Sequence, residues 1–207
     1  MLSIYASNLR PQAEVESIVA ATSEYPERTL KKWQKINLVD SDYIHIIISG
    51  EVELRRTSDE LSIFMVRRQY ILGISNLYYN SEHVYGIASS NVVVRMVKKD
   101  DFVRLISENN LWPELSKILS WHICVMSKRD DVLVARSAYS VVREFLLEIH
   151  ELITNHNRDI NIYDYIQEYT NLARSTIIKI LSDLKKGDYI VVEKGKLVSL
   201  SALPERY

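Results

Sequence analysis

Between Asn171 and Lys196 the chain reads NLARSTIIKILSDLKKGDYIVVEKGK, and its chemically useful side chains are hydrogen-bond donors and cations: Arg174, Ser175, Thr176, Lys179, Lys185, Lys186 and Lys194. At helical spacing Ile177, Ile180/Leu181 and Leu184 share one face, while Arg174, Ser175, Ile178, Lys179 and Ser182 share the other. The apolar face is built to dock and the polar face to be offered. Arg174 and Lys179 are long enough to reach guanine edges or phosphate oxygens, and Ile178 suits a thymine methyl. Residues 171–196 carry six basic against three acidic side chains, a net of +3, whereas 138–207 carries nine against ten. The basic surface is therefore a small patch. On periodicity alone, a solvated amphipathic helix with a lysine-rich end, as the helix dipole favours, accounts for the same residues.

The elements around this stretch decide between those readings. The segment IYDYIQEYT (162–170) predicts a preceding helix that gives Ile166 and Tyr169 to the same core, joined through Asn171-Leu172-Ala173. After the quoted helix, residues 189–192 and 197–200 read as two strands around a turn at 193–195. Helix, short turn, helix and hairpin make a helix-turn-helix with a β-wing, which can place the first turn of its second helix in the DNA major groove. A further helix is expected from Tyr139 to about Thr154, closed by a polar turn at 155–159.

Upstream, the period changes twice. From about Pro26 to Lys98 the pattern is short β-branched runs, YIHIIISG, EVELRR, LSIFMV, YILGI, HVYGIAS and NVVVRMV, recurring about every ten residues and expected to form an antiparallel β-roll. From Lys99 the period is helical: DDFVRLISENN opens on an acidic pair, and Trp112-Pro113-Glu114 starts a second helix running from Pro113 to about Ala135. Its apolar positions include Leu115, Ile118, Leu119, His122, Val125, Met126 and Val132, spaced like one strand of a two-helix seam. A core helix lying on the roll has the same pattern, so both readings stand. The expected fold is α+β: an N-terminal antiparallel β-roll over 1–112, a long connecting and dimerisation helix over 113–136, and a C-terminal winged helix-turn-helix over 137–207.

Composition excludes several classes. With 207 residues and 47% hydrophobic content the chain can build ordinary cores, and no run approaches the roughly 20 apolar residues of a membrane span. A cytoplasmic protein without membrane association is expected. A single cysteine, Cys124, excludes an internal disulfide or a zinc ribbon within one chain, and the five histidines show no paired metal-ligand spacing. There is no phosphate-binding glycine loop and no nucleophile turn, so no enzyme is expected.

The order β-roll, long helix, winged helix-turn-helix resembles the Crp/Fnr family of bacterial transcription regulators over roughly residues 26–200, and within it the IprA-like branch of enterobacterial regulators. YIHIIISGEVEL is similar to that family's strand-turn-strand, and ARSTIIKILSDLKKGDYI to its recognition helix. The resemblance implies that Arg174, Ser175 and Lys179 stand at the three main contact positions, with a serine where glutamate is common and hence an altered operator. It implies a homodimer on a pseudo-palindromic double-stranded DNA site, with Lys185, Lys186 and Lys194 near phosphates and RNA polymerase as a further partner.

The ligand residues of cyclic-nucleotide-binding members are missing. In LGISNLYYNSEHVYGIAS (72–89) Gly73 is kept, Ile74 stands where the ribose-binding glutamate belongs, and no arginine occurs between Arg68 and Arg95. A phosphate buried without a cation is strongly disfavoured, so no cyclic nucleotide is expected and no cofactor is predicted. Tyr78, Tyr79 and Tyr85 are candidates to fill the pocket instead. The tract WHIC (121–124) leaves two alternatives to an effector-free regulator: a redox response through Cys124, or haem held by His122 or Cys124. A small hydrophobe packed in the helix accounts for Cys124 equally. The reading from another class is a protein-interaction module that keeps the regulator architecture.

Overall fold

The computed structural model describes residues 10–67, 69–79, 83–134 and 136–205. The chain divides into two compact units between Cys124 and Val125. In the first, α1 (Gln12–Ala21) precedes eight strands: β1 (Glu27–Leu30), β2 (Lys35–Ile36), β3 (Tyr43–Ser49), β4 (Val52–Arg56), β5 (Ser62–Val66), β6 (Tyr70–Leu72), β7 (Val84–Ala88) and β8 (Val92–Lys98). A single 3-10 turn, Ile74–Asn76, follows β6, α2 (Lys99–Glu108) follows the strands, and α3 (Trp112–Leu133) begins in this unit and runs across the boundary. Two antiparallel four-stranded sheets result, in the orders β1-β8-β3-β6 and β2-β7-β4-β5.

Alternation along β3 shows why the layers form. Ile44 and Ile46 point to the helices and join Val15, Ile18, Ile71, Val97, Phe102 and Ile106 in one core. His45 and Ile47 lie on the opposite face of the strand and are also buried, which is why this central strand reads as a continuous apolar run. The acidic first turn of α2, Asp100 and Asp101, suits the positive end of its dipole.

Facing the other way, Phe64 on β5 and Tyr70 on β6 bring the two sheets together around Trp121 and His122 of α3. Ring centroids stand 5.6 Å apart for Phe64–Tyr70, 5.9 Å for Phe64–Trp121 and 5.4 Å for Tyr70–His122. Tyr70 and His122 are hydrogen bonded through the phenol oxygen and Nε2. Burial pushes the Tyr70 phenol up and, with the Arg10 charge second, pushes His122 down to about 4. The phenol therefore keeps its proton beside a neutral imidazole, and the histidine's tautomer sets which of the two donates.

This arrangement corrects one expectation: the tyrosines filling the roll are not Tyr78 and Tyr79, which are exposed, nor Tyr85, which lies partly exposed under the Lys35 ammonium. Two exposed loop tyrosines bury less than Tyr70, an inward-facing strand residue with a hydrogen-bond partner for its hydroxyl.

A pH dependence follows. Burial also holds His45 down to about 4, and its Nδ1 has no partner among the described residues. Both imidazoles are neutral in the fold and ordinary in the unfolded chain, so stability is full above about 6.5 and falls as pH drops toward 4, where the folded protein finally takes up the protons. Denaturant unfolding followed across that range should lose on the order of a few kcal/mol. A His45→Gln/His122→Gln variant should show a flatter profile; an unchanged slope would place the acid sensitivity elsewhere.

The second unit holds α4 (Ala138–His156), α5 (Ile162–Tyr169), α6 (Arg174–Lys186) and the hairpin β9 (Ile190–Glu193) and β10 (Lys196–Leu200). Ser137 caps α4 by accepting from the Ser140 amide, and Asn161 caps α5 by accepting from the Tyr163 and Asp164 amides. Phe145, Tyr165 and Tyr169 cluster in the core, and the Tyr165 hydroxyl donates to the buried carboxylate of Glu148 at 3.0 Å.

Candidate nucleic-acid interface

The face division of α6 comes directly from its sequence. Ile177, Leu181 and Leu184 are fully buried, and each contributes roughly 2 kcal/mol of apolar burial that anchors the helix. Arg174, Ser175, Ile178, Lys179 and Lys186 are exposed, Thr176 and Lys185 partly so. Ile178, about half exposed, is an apolar side chain in a polar field.

The start of α6 is open. Ala173 occupies the cap position and offers no side-chain acceptor, so the first-turn amides of Arg174 and Ser175 point outward uncapped. Uncapped amides at the positive end of a helix dipole suit a phosphate oxygen. Lys185 and Lys186 lie at the opposite end, where the dipole favours cations.

Neighbouring elements hold several of the cations. The Arg174 guanidinium donates to Asp164 at 3.1 Å and to Gln167 at 2.9 Å, both on α5. Lys185 donates to the Tyr163 hydroxyl at 3.0 Å, Lys186 pairs with Asp183 at 3.6 Å, and Lys196 with Asp159 at 2.7 Å. Lys179 and Lys194 are the two basic residues of 171–196 that no side-chain hydrogen bond or ion pair with a described residue engages. Sequence reasoning found the cations but missed Asp164 and Gln167, which stand ten and seven positions before Arg174 and meet it only because α5 and α6 pack.

The wing is pinned by a glycine. The turn carries Lys194 at φ 48° and Gly195 at φ 81°, both left-handed. The Gly195 carbonyl accepts from the Ile162 amide at 2.9 Å, and a Cβ at Gly195 would stand 2.7 Å from Asn161 Nδ2. The side chain that caps α5 thus packs on the wing that presents Lys194.

On α3 the structure places the predicted seam residues on different sides. Leu115 and Ile118 lie in the first unit's own core, and Val125 and Val132 are buried. Leu119 and His122 are partly buried, with His122 Nε2 occupied by Tyr70 rather than open to a haem iron. Met126 and Cys124 are exposed, and so is Ile123, at 67% the most exposed large apolar residue of the helix and one that sequence reasoning passed over. Ser116, Leu119, Ile123, Met126, Asp130 and Leu133 alternate by three and four residues, a stripe rotated by about one position from the expected one. Among the described residues no group of three or more His, Cys, Asp or Glu could hold a metal ion.

Comparisons with known proteins agree with this geometry. A model for winged helix-turn-helix DNA binding matches residues 138–205. The c-di-GMP-responsive global regulator CLP of Xanthomonas campestris superposes with a TM-score of 0.68 at 13% identity, covering 93% of this chain and 100% of its own. A CRP/FNR-family transcriptional regulator of Thermus thermophilus gives 0.59 at 18% identity over 83% and 92% of the two chains. No described helix is long and apolar enough to cross a membrane. The inhibitor of hydrogen peroxide resistance of Salmonella typhimurium is 30% identical over 163 residues, 78% of each chain. With that coverage and identity, on a Crp/Fnr fold ending in a winged helix-turn-helix, this chain belongs to the family of the inhibitor of hydrogen peroxide resistance.

Proposed function

We propose that the protein is a cytoplasmic, sequence-specific transcription regulator that binds double-stranded DNA as a homodimer without a cyclic nucleotide and, in keeping with the name its relatives carry, acts to lower resistance to hydrogen peroxide. The observation that carries this is α6: a docked apolar face, an uncapped first turn, and Arg174, Ser175, Ile178 and Lys179 exposed together beside the Lys194 wing. Arg174 and Ser175 read base edges, Lys179 and Lys194 bind phosphates, and Lys186 adds a weaker contact because Asp183 shares it. Asp164 and Gln167 keep Arg174 extended along the face until DNA replaces them.

Independence from cyclic nucleotide is supported by what occupies the roll. Gly73 takes the left-handed φ of 93° and opens the 3-10 turn, but Ile74 is buried in the helix-side core and Asn76 donates to the Leu38 carbonyl. No carboxylate or guanidinium comes from this turn, and Phe64 and Tyr70 of the two sheets pack against each other and against Trp121 of α3. Adding cyclic AMP should leave the melting temperature unchanged.

Selection of bound sites from a random DNA pool tests the DNA reading. Wild type should enrich a two-fold-symmetric motif. Arg174→Ala should flatten preference at one position of each half-site, at about 1–3 kcal/mol, while Lys179→Ala should weaken all sequences alike and lower the salt slope by about one. Equal losses on selected and random DNA for both variants would defeat the assignment.

A further inference from the structure

The β1–β2 turn carries a feature that DNA reading by α6 does not use. Trp33 is exposed to 68% and sits at φ 74°, a left-handed conformation that a bulky side chain rarely adopts. The conformation is enforced on both sides: the Trp33 amide donates to the Ala88 carbonyl at 2.7 Å, the Ala88 amide to the Gln34 carbonyl at 3.0 Å, and the Gln34 amide to the Lys31 carbonyl at 3.1 Å. The strand edge is thereby closed with an indole projecting from it into solvent. Lys31 and Lys32 precede Trp33 in the turn and Lys35 follows it, all three exposed and none in an ion pair with a described residue. Lys32 lies over the indole at 4.8 Å and Lys35 over the Tyr85 ring at 4.8 Å. The carboxylate on β1, Glu27, is already paired with Arg95 at 2.7 Å.

Lysines on an edge strand discourage sheet-to-sheet aggregation, and that accounts for Lys31, Lys32 and Lys35. It does not account for a tryptophan held out of the core at a position where glycine or asparagine would be unstrained. We infer that this turn is a docking surface for an acidic protein partner, with Trp33 as its apolar anchor and Lys31, Lys32 and Lys35 as its rim. An exposed tryptophan beside cations is the composition of an interface hot spot, and Lys31 and Lys32, in no ion pair with a described residue, call for carboxylates opposite them. Duplex DNA would meet the cations but leave the indole without an apolar or unstacked surface to cover it.

The inference does not rest on the DNA reading, and one experiment keeps the two apart. Full-length protein is panned against a random peptide display library, and labelled forms of the enriched peptides, oligothymidine and selected duplex DNA are titrated with wild type, Trp33→Gly and Lys31→Gln/Lys32→Gln. Trp33→Gly removes the backbone strain, so it should fold and melt at or above the wild-type temperature. Enriched peptides should place an apolar residue among aspartates and glutamates and lose about tenfold or more in affinity with either variant, while duplex DNA affinity stays the same. No acidic enrichment, peptide binding indifferent to Trp33→Gly, or oligothymidine bound more tightly than the peptides would overturn the proposal.

Discussion

Ile123→Asp is expected to yield a folded monomer that binds a palindromic operator about a hundred- to ten-thousandfold more weakly than wild type. The chain itself gives up little, because Ile123 is solvent-facing and a helical aspartate there costs only propensity. A second chain laid along the stripe of Leu119, Ile123 and Met126, flanked by the exposed small residues Ser116, Ser120 and Ser127, would instead meet two carboxylates at the closest approach of the helices. DNA affinity follows because two half-sites held by one dimer act at high effective concentration, and a monomer loses that coupling. Light scattering and operator titration on the same sample check it. A dimer of unchanged affinity would remove α3 from the interface. Retained dimerisation with lost DNA binding would point to a disturbed DNA-binding unit instead.

Gly50→Ala should be the most damaging of the small substitutions, at about 3 kcal/mol or more and a melting temperature lower by on the order of 10 °C. Gly50 turns β3 into β4 at φ 92°, and a Cβ there would stand 2.3 Å from the Asn91 carbonyl oxygen and 2.8 Å from Val92 Cα. Neither atom is the tip of a flexible side chain. Relief must move the backbone at the head of β8, a strand paired with both β1 and β3. Gly73→Ala is the control. Its φ of 93° imposes the same left-handed strain, but its nearest neighbour would be the Tyr43 carbonyl at 3.4 Å, ordinary contact, so it should cost only about 1–2 kcal/mol. Equal melting shifts for the two would mean that backbone conformation alone sets the cost at Gly50.

Elements with one strong local signal were legible in the sequence. The runs YIHIIIS and VVVRMVK became β3 and β8 because short, dense runs of β-branched residues favour a buried strand. The buried face of α6 was legible from Ile177, Ile180/Leu181 and Leu184 at helical spacing, and the structure buries Ile177, Leu181 and Leu184 while leaving Ile180 partly exposed. Weaker signals were passed over. Helix α1 lacks a side-chain cap, and β2 is two residues long and borrows its pairing from β7. Tyr78, Tyr79 and Tyr85 crowd one segment of the sequence, whereas the rings that meet, Phe64, Tyr70 and Trp121, come from three separate elements that only the fold brings together.

The sequence by itself determined the order of elements from β3 onward, the buried stripe of α6 and the cations it presents, because hydrophobic periodicity and turn chemistry act over a few residues and read out locally. Tertiary structure decided which of those cations are held by neighbours, since Asp164 and Gln167 reach Arg174 only through the packing of α5 on α6. It also decided which side of α3 stays uncovered. Leu115, Ile118 and Ile123 are interchangeable in composition and nearly so in spacing; the first two are withdrawn by the core that Val15, Phe102 and Ile106 build, and burial against residues far away in sequence leaves Ile123 exposed.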